Sequence, residues 1–208
     1  QGDWSSDVCS SDLLLWAQVW AQDGSRLIPN GMLQFEFPEL PETLKSMSTG
    51  EKRPAMMTVT FPADYTLQRK FPLFVYLIGG NGGSGDKVDL GRTVIGPNGY
   101  ICVAMPLFKR KVDVEEPSRG LMVSMDDYAV IASSYKEMLE RLFRAVPNIT
   151  AEGSTFGGHS NGAHTTGVLL AAQDDYLLEH FRAFYLHEGG LGMLLANVLQ
   201  KRSLRKAR

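Results

Sequence analysis

Apolar residues fall along this chain in runs short enough for strands, interrupted by stretches with helical spacing. LQFEF at 33–37 is apolar at every second position, the mark of a strand with one buried face. MMTVTF at 56–61 is rich in β-favouring residues and stops at Pro62. LFVYLI at 73–78 and YICVAM at 100–105 are continuously apolar, as strands buried on both faces are. The first runs straight into GGNGGSG; the second lies between GPNG and Pro106. Tyr128, Ile131, Tyr135, Met138, Leu139 and Leu142 then recur at helical spacing. Ser124 with Asp127 three residues on resembles a capping box for that helix, and Pro147 stops it. A short strand near 154–156, a helix over 161–172 and a strand AFYLH at 183–187 follow. This order predicts an α/β fold with a mainly parallel sheet flanked by helices. The prolines of 38–54 mark an exposed connection, and 191–208 reads as an amphipathic helix with a basic end.

Composition narrows the partners more than the fold. The 208 residues suit one sizeable core, 44% of them are hydrophobic, and the formal net charge is −2. Nothing in this overall balance suggests nucleic acid or an anionic membrane surface, and a small-molecule partner is expected. No apolar run reaches the ~18 residues of a membrane span. Cys9 and Cys102 make neither a disulfide framework nor a zinc pattern, and no metal or cofactor is expected. DWSSDVCSSDL at 3–13 resembles a translated sequencing-library adapter, so residues 1–13 are set aside from fold reasoning as a scar, a genuine polar N-terminus being the alternative. LLWAQVWAQ at 14–22 fits the remnant of a secretory signal peptide cut near Ala21, which would make the protein secreted or periplasmic. It equally fits a partly buried leading segment. The expected organisation is thus a scar at 1–13, a leader at 14–30 and an α/β domain over 31–208.

Chemistry concentrates in STFGGHSNGAHTTG at 154–167, where Gly158, His159, Ser160, Asn161 and Gly162 spell GxSxG between a predicted strand and a predicted helix. The glycines let the chain reverse sharply with the serine lifted into the open, at a helix N-terminus that favours negative charge. On its own the pentapeptide is weak evidence, since a glycine-rich turn often carries a chance serine. The earlier GGNGGSG strengthens it. Acyl transfer needs two backbone donors aimed at an oxyanion. Asn161 would supply one and Gly80 or Asn81 the other.

FPLFVYLIGGNGG at 71–83, YICVAMP at 100–106 and GGHSNGAH at 157–164, in this order, resemble the esterase-like members of the α/β-hydrolase superfamily. The resemblance covers roughly residues 56–190, and Ile78 stands where many members have histidine. It implies a carboxylic ester hydrolase, a serine enzyme with Ser160 as nucleophile and a small-molecule ester as substrate. It also implies the chain order serine, acid, histidine, with the last two beyond AFYLH. On that basis the fold is an α/β-hydrolase fold truncated before its last strands, lacking the catalytic histidine and inactive by itself.

Other readings compete. Gly80, Gly82 and Gly85 also spell the GxGxxG of a dinucleotide-binding turn, but no clean long helix starts after Gly85 and no acid ends the next strand. A non-catalytic small-molecule-binding domain of the same fold is a further alternative. Of the four histidines, His159, His164 and His180 are expected to be structural or solvent-facing, with His159 turned away from Ser160 and His180 in a polar connection. His187 ends the last strand and is placed at the pocket, beside Glu188 as a candidate acid or a loop residue. Leu191 breaks any HExxH zinc motif there. Lys109–Lys111 and the basic run at 201–208 read as solvated faces.

Overall fold

A computed structural model describes residues 27–37, 55–80, 85, 87–108, 128–190 and 192. The scar, residues 14–26 of the leader, the 38–54 connection, the cap at Ser124 and Asp127, the basic residues at 109–111, Asn81, Gly82 and the helix expected over 191–208 lie outside the described residues, apart from residue 192.

Six strands form one sheet in the order β1-β2-β4-β3-β5-β6. They are β1 (Met32–Phe37), β2 (Ala55–Thr60), β3 (Phe71–Leu77), β4 (Ile101–Ala104), β5 (Ile149–His159) and β6 (Ala183–His187). β2 is antiparallel to β1 and β4, while β3 is parallel to β4 and β5, and β5 to β6. One strand, β2, therefore runs against the other five. The helices are α1 (Asp89–Ile95), α2 (Tyr128–Ala145), α3 (Asn161–Ala172) and α4 (Asp175–His180). The fold is α/β with a mainly parallel sheet flanked by helices, as the sequence pattern predicts.

The apolar run of β3 serves both sides of the sheet, which is why it does not alternate. Leu73, Val75 and Leu77 join the larger core with Tyr135, Met138 and Leu142 of α2 and Val168 and Leu169 of α3. Phe74 and Tyr76 face the other way, toward Val88, Cys102 and Ala104, with Ile95 of α1 packed against them. This division follows from handedness. The step from β3 to β4 through α1 and the step from β4 to β5 through α2 go in opposite directions along the sheet. Right-handed crossovers then put α1 and α2 on opposite faces.

β5 is longer than the short strand expected near 154–156. Its first residues pair Phe71 with Ile149 and Pro72 with Thr150, the register shifts, and pairing resumes at Phe74 with Thr155. The extra residues include Gly153 at φ 78°. Buried Ser154 closes the bulge, its Oγ accepting the Leu73 N–H at 2.8 Å. The polar AEG at 151–153 hides this strand from a hydrophobicity pattern.

Helix α4 also corrects the expectation of a plain polar connection around His180. Asp174 caps it by accepting the Leu177 N–H at 2.9 Å. The His180 ring stacks at 4.2 Å on Tyr176 and at 5.0 Å on Phe143. Six residues with charged ends are too few to show helical periodicity.

Candidate active site

The carboxyl ends of β3, β5 and β6 lie side by side, because Leu77 pairs with Gly158 and His159 with His187. Ser160 follows β5 immediately and occupies the N-cap position of α3 with φ 52° and ψ −114°. That is left-handed backbone for a residue with a Cβ, a conformation costing on the order of 1–3 kcal/mol unless its surroundings impose it. They do. The Ser160 N–H donates to the His187 carbonyl at 2.8 Å, and the Ser160 carbonyl accepts the His164 N–H at 3.0 Å. A Cβ on Gly158 would stand 2.6 Å from the Leu77 oxygen, and one on Gly162 2.2 Å from that same oxygen. The glycines of GxSxG are thus required by close approach to β3. The serine side chain is left half-buried, and its hydroxyl has no hydrogen-bond partner among the described residues. Beneath it, the first N–H groups of α3 have no intrahelical acceptor, so the positive end of the helix faces the site.

The loop after β3 lies against this turn. A Cβ on Gly79 would come within 2.8 Å of the Ser160 Cβ and 2.9 Å of His159 Nδ1. Gly80 follows at φ 68° with open space where a side chain would be. The Asn161 side chain reaches over, its Nδ2 donating to the Gly80 carbonyl at 2.6 Å. The structure therefore brings together Ser160, Asn161 and Gly80.

On the β6 side the structure adds contacts. His159, expected to face away from Ser160, has its ring on Glu188 instead: its Nε2 is 2.8 Å from Glu188 Oε2, and its ring centroid is 5.1 Å from that of His187. Parallel register explains this, since His159 and His187 are adjacent rungs and project together. His187 Nε2 lies 3.9 Å from Glu188 Oε1. Glu188 is exposed and has φ 55°. The hydrogen bond from His159, then the nearby His187, hold its carboxyl below the usual carboxylate value. His164 accepts the Gly190 N–H at Nδ1, 3.2 Å away, which places its proton on Nε2. The chain's four histidines are all described, and among the described contacts no histidine ring hydrogen-bonds the Ser160 hydroxyl.

Sequence reasoning missed the contacts of His159 and of the Asn161 side chain. Both occupy the x positions of GxSxG, where the turn dictates no residue type, so no signal marked them.

The glycine loop does not open a helix as a dinucleotide turn does. α1 begins at Asp89 and spans 7 residues. Gly85 is buried with its Cβ position 1.7 Å from the Met56 oxygen, so it serves packing against β2. Among the described residues no group of three or more His, Cys, Asp or Glu could hold a metal ion, and no helix is long and apolar enough to cross a membrane.

No family model matches the chain, and no curated protein matches it. Solved structures do resemble it. One is a Bacteroides ovatus protein assigned as a dipeptidyl aminopeptidase IV, 17% identical over 74% of this chain and 20% of its own, with a TM-score of 0.44. Another is an esterase from Rhizomucor miehei, 17% identical over 83% of this chain and 49% of its own, TM-score 0.39. A third is brefeldin A esterase, a bacterial homologue of human hormone-sensitive lipase, 16% identical over 89% and 50%, TM-score 0.41. The chain spans between a fifth and half of the length of these three proteins.

Proposed function

We propose that this chain carries the nucleophile and oxyanion-binding part of a serine hydrolase acting on carboxylic esters. The observation that supports it best is Ser160 itself: a strained, half-buried serine whose hydroxyl has no hydrogen-bond partner among the described residues, forced into place by glycines that pack on the carbonyl of β3. Ser160 Oγ attacks the ester carbonyl carbon as its proton passes to a base. The tetrahedral oxyanion receives the Asn161 N–H and an N–H of Gly80 or Asn81. Collapse expels the alcohol and leaves an acyl group on Ser160, which water removes by the same route in reverse. Ester rather than amide chemistry rests on the sequence resemblance to esterase-like hydrolases.

The base is the missing part. With His159 on Glu188, His164 on Gly190, His180 packed under Tyr176 and the His187 ring beside His159 and Glu188, the proposal places the catalytic histidine outside these 208 residues. Glu188 could orient that histidine only by giving up His159. The isolated chain should therefore acylate slowly, helped only by its oxyanion donors and substrate binding.

The test is covalent capture. A fluorophosphonate or activated ester should add stoichiometrically to the peptide bearing Ser160, faster when imidazole is supplied as a base, and not at all in Ser160→Ala. Addition elsewhere, or equal addition in the variant, would leave a non-catalytic binding domain as the better reading. Rapid turnover by the unaided chain would instead make His187 the base.

A further inference from the structure

The turn's residue after the serine does two things at once. Its backbone N–H belongs to the first turn of α3, where no intrahelical acceptor exists. Its side chain simultaneously donates from Nδ2 to the Gly80 carbonyl at 2.6 Å. Gly80 stands in the open on the side where a side chain would be. Its φ is 68°, nothing lies within 4 Å of its Cβ position, and the Asn161 amide is the hydrogen-bond partner given to it among the described residues. One residue upstream the situation is the reverse, since Gly79 is wedged against His159 and Ser160. The loop is therefore gripped at Gly79 by packing and at Gly80 by one amide.

We infer that Asn161 is a positioning residue for the oxyanion site: its side chain braces Gly80, so that the two backbone donors, one on each loop, keep a fixed separation. The inference rests on Ser160 being the nucleophile. An exposed amide-to-carbonyl bond adds little to stability. Its effect on chemistry is larger, because a misplacement of about 1 Å at a reacting centre costs on the order of 100-fold. Asn161→Ala keeps the backbone donor and removes the brace. Asn161→Asp keeps the size but offers the Gly80 carbonyl an acceptor instead of a donor.

Both variants and the parent 208-residue chain are to be labelled at Ser160 with a fluorophosphonate over a range of concentrations, and the backbone order parameters of Gly79 and Gly80 measured by NMR. In both variants the maximal labelling rate should fall about 10- to 100-fold with the half-saturating concentration unchanged. The order parameter at Gly80 should drop from about 0.85 toward 0.6 while Gly79 stays rigid. The melting temperature should move by no more than about 2–4 °C. Labelling of Asn161→Asp at the parent rate would overturn the brace. If the parent is not labelled at Ser160, the hydrolase reading fails and the NMR measurement decides the brace alone: a Gly80 as rigid in Asn161→Ala as in the parent overturns it.

Discussion

Gly162→Ala sets two physical rules against each other. Gly162 lies inside α3, where replacing glycine by alanine normally gains about 1 kcal/mol. Here the new methyl would sit 2.2 Å from the Leu77 oxygen, 2.7 Å from its carbonyl carbon and 2.8 Å from its Cβ. Carbon and oxygen must separate by about 1 Å more before the contact is tolerable. The atoms to be moved are backbone of a completely buried residue in a strand paired on both sides, so no side chain can swing clear. Overpacking of this kind costs about 3 kcal/mol, the upper end of its usual range. Subtracting the helix gain leaves a net loss of about 2 kcal/mol, or about 4–8 °C in melting temperature for a chain of this size. Urea unfolding followed by circular dichroism measures it, through a lower midpoint at unchanged slope. A variant as stable as the parent, or more so, would show that α3 can lift off β3 freely. The steric account of GxSxG in this chain would then be wrong.

Other consequences are more local. Ser154→Ala should cost about 1–3 kcal/mol, because it leaves the buried Leu73 N–H without its acceptor; a loss below about 0.5 kcal/mol in the same urea assay would refute this. Asp64 is held below the usual carboxylate value chiefly by the Gly99 N–H and then by Arg69, so its stabilising contribution is full above about pH 4 and is lost as pH falls through its lowered folded-state value. Asp64→Asn should flatten that acid limb of the stability curve. Burial raises the phenols of Tyr135 and Tyr185, and pushes Tyr128 up to about 12. Stability should therefore hold up to about pH 10 and decline above it as these groups ionise, and a flat alkaline profile would contradict the burial. Burial likewise pushes the Cys102 thiol up to about 12, so it should resist a disulfide reagent at about pH 8 until urea unfolds the chain.

What could be read from sequence depended on whether a residue's neighbours along the chain or across the sheet decide its role. The apolar runs of β3 and β4 and the periodicity of α2 are local, and the structure places all three where the pattern does. The start of α3 at Asn161 was legible because GxSxG carries its own steric requirement. The bulge in β5 was not, since Ser154 matters through Leu73, 81 residues away in sequence. The same applies at the site. Gly80 and Asn161 were identified by their backbone N–H groups, yet their mutual contact spans 81 residues and involves a side chain the motif leaves free. The partner of His159 was not legible, because Glu188 comes from the adjacent strand's end at a backbone angle no propensity foretells.

The Ser160 N–H bonded to the His187 carbonyl has a further consequence for experiment. The serine reaches its geometry only when β6 has docked beside β5 and β3 has closed over Gly158 and Gly162. Segments more than a hundred residues apart must all be assembled before that hydroxyl is presented. A reagent selective for Ser160 would thereby be a folding reporter: its rate of reaction would count only molecules in which three strands are correctly registered, and it would rank variants or refolding conditions where helical signal alone is indifferent.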